Sequence, residues 1–170
     1  MSTETIALDY TPGRARPLPR CGGQSISVGA IEDARGVNPR LVMPKLKLGG
    51  GLPEGAYVCE RPVARICQDA LGSGLAAAGC GTGKADLVLS GRLLSLEYAV
   101  MMGFSRCMLK AALTMELALT RGNDGPEVWR GTVTGNGNAG VGALVKDTFS
   151  GAMDDLVANL LNNAGLVRTG

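Results

Sequence analysis

Leu109, Ala111, Leu113, Met115, Leu117 and Leu119 alternate with Lys110, Thr114, Glu116 and Thr120. Alternation of period two over that length describes a β-strand with one apolar and one wet face; no helix holds those residues on one side. A strand this long needs partners on its flanks and something apolar across its greasy face. The pattern constrains architecture far more than chemistry.

The flanking sequence supplies those partners. Upstream, Leu87, Leu89 and Leu93 share one parity and Leu94, Leu96 and Tyr98 the other, which places a β-bulge near Leu93-Leu94 inside a strand starting at Ala85. Gly103 is placed in the turn between these two strands. Downstream, Arg121-Gly122-Asn123-Asp124-Gly125 is a turn cluster leading into a strand over Glu127 to Thr134. A closing helix is expected from about 142 to 164. Its stripe runs through Leu144, Val145, Phe149, Ala152, Met153, Leu156, Val157, Leu160 and Leu161, and Gly165 ends it.

Before these elements, an earlier strand is expected over Ser25–Ile31, with Ile26, Val28 and Ala30 on one side. A helix follows from near Arg61, with Pro62 at its first position, an apolar stripe through Val63, Ile66, Cys67, Ala70, Leu71 and Gly74, and Gly79 at its end. The order β-α-β-β-β-α predicts an α+β two-layer sandwich: an antiparallel sheet of about four strands with both helices on one face. Residues 1–23, with Pro12, Pro17 and Pro19, read as an extended Pro/Gly-containing leader to a single domain over 24–170. The Gly- and Pro-rich stretch 37–60 is expected to carry short edge strands at 41–48 and 55–58.

Composition narrows function by exclusion. The net charge is +2, and the densest basic group, Arg14, Arg16 and Arg20, is interleaved with prolines and has no aromatic platform, so nucleic acid is not the expected partner. Histidine is absent, which removes the commonest general base and metal ligand, and no cofactor is expected. The acidic pairs Glu32-Asp33 and Asp154-Asp155 are placed at a strand end and on the exposed side of a helix, as solvated surface. None of the five cysteines forms a Cys-x-x-Cys pair. Cys59 and Cys80 flank a helix spanning about 25 Å and are not expected to pair, whereas Cys67 and Cys107 lie on apolar faces, can meet in the core, and are read as buried thiols.

Two glycine motifs are set aside. Gly135-Asn136-Gly137-Asn138-Ala139-Gly140 satisfies G-x-G-x-x-G, but the helix after it leads into no further strand, so the dinucleotide-binding βαβ unit is missing and a flexible strand-to-helix connection is expected. Gly81-Thr82-Gly83-Lys84 has Ala78 and Ala85 where a phosphate loop needs Gly and Ser or Thr, and its helix precedes the loop, so it is read as a turn.

Ala7-Leu8-Asp9-Tyr10-Thr11-Pro12, then Ile26 to Gly36 and Pro39, resembles the opening of YajG-like bacterial envelope lipoproteins. The later order, with its "LVLSGRLLSLEY" strand, Trp129-bearing strand and terminal helix, is similar too. Such lipoproteins carry a signal peptide and a lipobox cysteine; Cys21, preceded by Leu18-Pro19-Arg20, is not one. The resemblance implies a non-catalytic periplasmic domain, anchored to the outer membrane through a lipid that this stretch lacks, with envelope proteins as partners. A cytoplasmic relative is the alternative, which five cysteines would suit. Tyr98, Val100, Met101, Met102 and Phe104 cluster at an expected hairpin tip, and Tyr98, Met101, Met102 and Phe104 are the candidate partner-binding residues. The competing expectation is a small-ligand binder using the cleft under the 37–60 loop.

Overall fold

The computed structural model describes residues 2–45, 55–81, 86–102, 107–140 and 145–167. A four-stranded sheet is formed by β2 (Ile26–Asp33), β5 (Leu87–Met102), β6 (Cys107–Arg121) and β7 (Glu127–Gly140), in the order β2-β5-β6-β7. Helix α1 (Val63–Ala77) packs against β2, α2 (Val145–Asn163) against β7 and β6, and the helices touch each other. The α+β class and the placing of both helices over the sheet agree with the sequence reading.

The sheet is mixed rather than antiparallel throughout. β2 runs parallel to β5, in register from Ile26↔Leu87 to Asp33↔Leu93, because α1 lies between them in sequence and carries the chain back to the same end. The pairs β5–β6 and β6–β7 are antiparallel. A second, three-stranded sheet has the order β1-β4-β3, from β1 (Ser2–Thr5), β4 (Gly55–Val58) and β3 (Leu41–Pro44). The short strands expected in the 37–60 stretch thus exist, but β3 pairs with β4 and β4 with β1 of the leader, not with the main sheet.

The core is the apolar face of β6 against the helices. Leu113, Met115 and Leu117 are fully buried with Phe149, Met153 and Leu156, and Leu109 packs against this cluster. The expected bulge is present: Leu93 pairs with Met115 and Ser95 with Thr114, leaving Leu94 extra, so that Leu96 and Tyr98 rejoin the core face opposite Leu113 and Ala111. A similar shift in β2 between Val28 and Ile31 buries Ile31 and exposes Ala30, reversing the side expected for Ala30.

Strand β7 does not stop at Thr134. The stretch Gly135 to Gly140 continues the ladder as far as Met108↔Gly140, so the G-x-G-x-x-G sequence is strand and not a flexible connection. Its glycines are seats for α2: a Cβ on Gly135 would stand 2.5 Å from Leu156 N, and one on Gly137 2.5 Å from Ala152 N. Pro62 occupies the N-cap of α1 rather than its first turn, at φ −55° and ψ 137°. Gly79 and Gly165 follow the helices at φ +90° and +69°, the left-handed conformation that glycine adopts without steric cost. Among the described residues no helix is long and apolar enough to cross a membrane.

Candidate functional site

The N-terminal stretch is built into the fold. Ile6 N donates to Val58 O at 2.8 Å, prolonging the β1–β4 pairing, and Leu8 is buried in the core. Tyr10 then donates its hydroxyl to Asp154 Oδ1 at 2.7 Å, Gly13 N donates to the same oxygen at 2.9 Å, and Ala15 N to Oδ2 at 3.0 Å. Asp154 is therefore not a solvated helix residue: it is fully buried, and the strap of residues 10–15 closes over it. Burial and the bond to Asp154 push the Tyr10 phenol far above its ordinary range. Next to it, Ser150 Oγ donates to Asp9 O at 3.0 Å, and Arg16 pairs with Asp155 at 2.5 Å.

A disulfide ends the strap. Cys21 and Cys80 are bridged, with Cα atoms 5.3 Å apart and a separation of 59 positions in sequence. Cys80 follows α1, and Cys21 N donates to Ala78 O at 2.8 Å, so the bridge fixes the strap to the helix end. A loop of that length closed in the unfolded chain stabilises the fold by about 4 kcal/mol in the chain-entropy account. Cys59 and Cys67 are free and buried, in line with the expectation that Cys59 leaves Cys80 alone. Cys67 is a core thiol that burial pushes up to about 12; the Cys107 side chain lies outside the described residues.

The other acidic pair also departs from solvated surface. Asp33 chelates Arg35, which donates from Nε to Oδ1 at 3.0 Å and from Nη2 to Oδ2 at 2.9 Å. Arg35 Nη1 also donates to Leu41 O at 2.6 Å, tying the end of β2 to β3. Burial alone would raise the Asp33 carboxyl, but the bonds and charge of Arg35 outweigh it and hold the group below the usual range. Glu32, on the opposite face, is exposed.

The candidate partner-binding residues separate into groups. Tyr98 is not displayed: its ring packs against the core, and its hydroxyl is buried without a hydrogen-bond partner among the described residues. The bulge at Leu94 turns it inward. Burial, with Cys67 and Cys59 nearby, pushes its phenol far above the ordinary range. Val100, two positions on, is 38 % exposed. Met101 and Met102 continue β5 opposite Met108 and Cys107, their side chains outside the described residues, as is Phe104 entirely. Below this hairpin end, Val42, Met43 and Pro44 of β3 face Leu96, Ala99 and Ala112 across a groove of about 530 Å³. Among the described residues no group of three or more Cys, Asp or Glu is placed to hold a metal ion.

No protein-family model matches the chain, and no curated protein matches its sequence significantly. Solved structures do align with it. The DUF330 protein XCC0632 of Xanthomonas campestris aligns over 96 % of this chain and 91 % of its own at a TM-score of 0.55 and 14 % identity, a likeness of fold alone. PelC of Paraburkholderia phytofirmans, solved as a dodecamer, aligns at 17 % identity over 89 % of this chain and 94 % of its own, with a TM-score of 0.45. Lipoprotein GNA1162 of Neisseria meningitidis aligns at 15 % identity over 84 % and 98 %, with a TM-score of 0.29. The last two scores are too low to argue a common fold. A bacterial lipoprotein is thus among the structures that align with this chain, and the narrower YajG-like resemblance is not shown.

Proposed function

We propose that this chain is a non-catalytic accessory domain of the bacterial cell envelope, working outside the cytoplasm and docking other envelope proteins through the Met102–Cys107 end of the β5–β6 hairpin. The observation that carries this reading is the Cys21–Cys80 bridge. Disulfides persist in oxidising compartments and are rare in the cytosol, so a bridge joining the strap to α1 suits the periplasm. It weighs against the cytoplasmic alternative. The YajG-like sequence resemblance points the same way, toward an outer-membrane-anchored precursor. The docking role rests on Val100 and on the register of Met101 and Met102 at the end of the hairpin. Tyr98 contributes to that end as buried support.

The test is capture from solubilised envelope membranes, with the full chain as bait. Changing Met101, Met102 and Phe104 to Ser is expected to leave the melting temperature within a few degrees of wild type and to abolish capture of the recovered partner. Undiminished capture by this variant refutes the hairpin as the docking surface. A small-ligand reading is favoured by one observation, the groove between β3 and β5 beneath the 37–60 stretch. It predicts that Ala112→Trp, which fills the groove, removes a ligand-induced rise in melting temperature.

A further inference from the structure

The fold treats the two edges of its main sheet differently. On β7, Asp155 Oδ2 accepts the N–H of Asn136 at 2.8 Å, and Asn159 Nδ2 donates to Thr134 O at 2.8 Å. Side chains of α2 thus occupy backbone groups that face away from β6, one of the ways proteins blunt an edge against strand pairing. The opposite edge, β2, is met only at its start, where Gly81 bridges Ser25 and donates its N–H to Gln24 O at 3.3 Å; beyond that point no such cover is present among the described residues. Leu87 N donates to Ser25 O at 3.0 Å, while Ile26 stands opposite Leu87 and Ser27 opposite Val88. Alternate residues therefore turn their backbone toward β5; on the outward side Ile26 N–H faces the Gly81 bridge, while Ile26 C=O and the N–H and C=O groups of Val28 face outward beyond it.

Beside that open edge α1 leaves room. Gln68, Gly72 and Ala76, spaced four apart on one flank of the helix, line a groove of about 570 Å³ with Val28. A Cβ on Gly72 would meet only Val28 Cγ2, at 4.0 Å, so a further side chain can enter. Asp69 supplies the charge on the groove wall. Its partner Arg61 lies 2.8 Å away in a pair more than half exposed on both sides, the kind that is readily exchanged.

We propose that the β2 edge and this groove take an extended segment of a partner protein by strand addition. The segment carries small apolar side chains at alternate positions, seated over Val28 and Gly72, and a basic residue that faces Asp69. Main-chain bonds to Val28 and to the Ile26 carbonyl supply affinity, and the alternating side chains supply specificity. A second copy of this chain is the poorer occupant. The charges of β2 are Glu32 and Asp33, both acidic like Asp69, and the register shift after Val28 interrupts the straight run that two copies of β2 would pair along.

The probe is a phage-displayed library of eight-residue peptides, the length of β2, selected on the full chain, with enriched sequences synthesised and titrated by fluorescence anisotropy. Enriched peptides are expected to alternate small apolar residues with Lys or Arg. Val28→Pro removes an outward N–H and keeps the bonds to β5, and Gly72→Leu fills the groove. Each should weaken peptide binding about tenfold or more while the circular dichroism spectrum is unchanged. If Val28→Pro fails to fold, Gly72→Leu, which leaves the β2 backbone untouched, decides. No enrichment, or equal binding to Gly72→Leu, overturns the proposal. Light scattering that shows a wild-type dimer lost in Val28→Pro overturns it too, in favour of self-pairing.

Discussion

Replacing Asp154 by Ala should release the N-terminal strap, and the magnitude follows from three donors. The Tyr10 hydroxyl and the Gly13 and Ala15 amides all end on this one buried carboxylate, at 2.7, 2.9 and 3.0 Å. Hydrogen bonds to charged groups contribute about 1.5–3 kcal/mol each, and donors left unpaired in a buried site cost about as much. Adding the three overshoots, because the strap can peel away and let water satisfy Tyr10 and both amides. The loss is then capped by what holds the strap down, chiefly burial of Leu8 and half-burial of Tyr10. Two such side chains amount to about 3–5 kcal/mol. Urea denaturation should therefore show Asp154→Ala less stable by about 3 kcal/mol. Hydrogen exchange should become fast at Gly13 and Ala15, while Cys21 N, held near the disulfide, keeps its protection. Asp69→Ala, which loses only an exposed pair with Arg61, is the control and should cost about 1 kcal/mol or less. Unchanged stability with slow exchange at Gly13 and Ala15 in Asp154→Ala would refute the latch.

Leu117→Ala should cost about 2–5 kcal/mol in the same denaturation, because the residue is fully buried beneath the helices; a loss under about half a kcal/mol would remove it from the core. Gly137→Val should cost at least about 3 kcal/mol or prevent folding, since its Cβ would press on the α2 backbone at Ala152 N, whereas Asn138→Val, at an exposed position of the same strand, should fold normally. Asp33 gives a pH dependence: its folded carboxyl is held low by Arg35, so its contribution is complete above the unfolded value of about 3.9 and is lost as pH falls through the lower folded value. Asp33→Asn should flatten the acid limb of the stability curve below about pH 4, and an unchanged limb would refute the assignment.

The parts of the fold legible in sequence are those specified by neighbours along the chain. The alternation from Leu109 to Leu119 places β6, and the switch of parity at Leu94 locates a bulge, because both depend on which side each residue faces. Strand direction was not legible. Whether β2 lies parallel or antiparallel to β5 depends on where α1 crosses, which the period of neither segment records. Asp154 was misplaced for the same reason: its partners are 139 to 144 positions away, and an Asp-Asp pair on a helix gives no local sign of burial. A weak sign exists in the small residues Ser150, Asp154 and Ala158, spaced four apart on a buried side of α2. Cys21 and Cys80 were equally hidden, since nothing in the Pro-rich leader shows that it turns back onto the end of α1.

The account depends most on the compartment, and the bridge between Cys21 and Cys80 reports it directly. Cells producing the protein at its native level should be acid-quenched, alkylated under denaturing conditions, digested without reduction and analysed by mass spectrometry. The result expected is a disulfide-linked peptide pair containing Cys21 and Cys80, with Cys59 and Cys67 alkylated as free thiols. Recovery of Cys21 and Cys80 as alkylated free thiols would contradict the extracytoplasmic reading and return the chain to the cytoplasm.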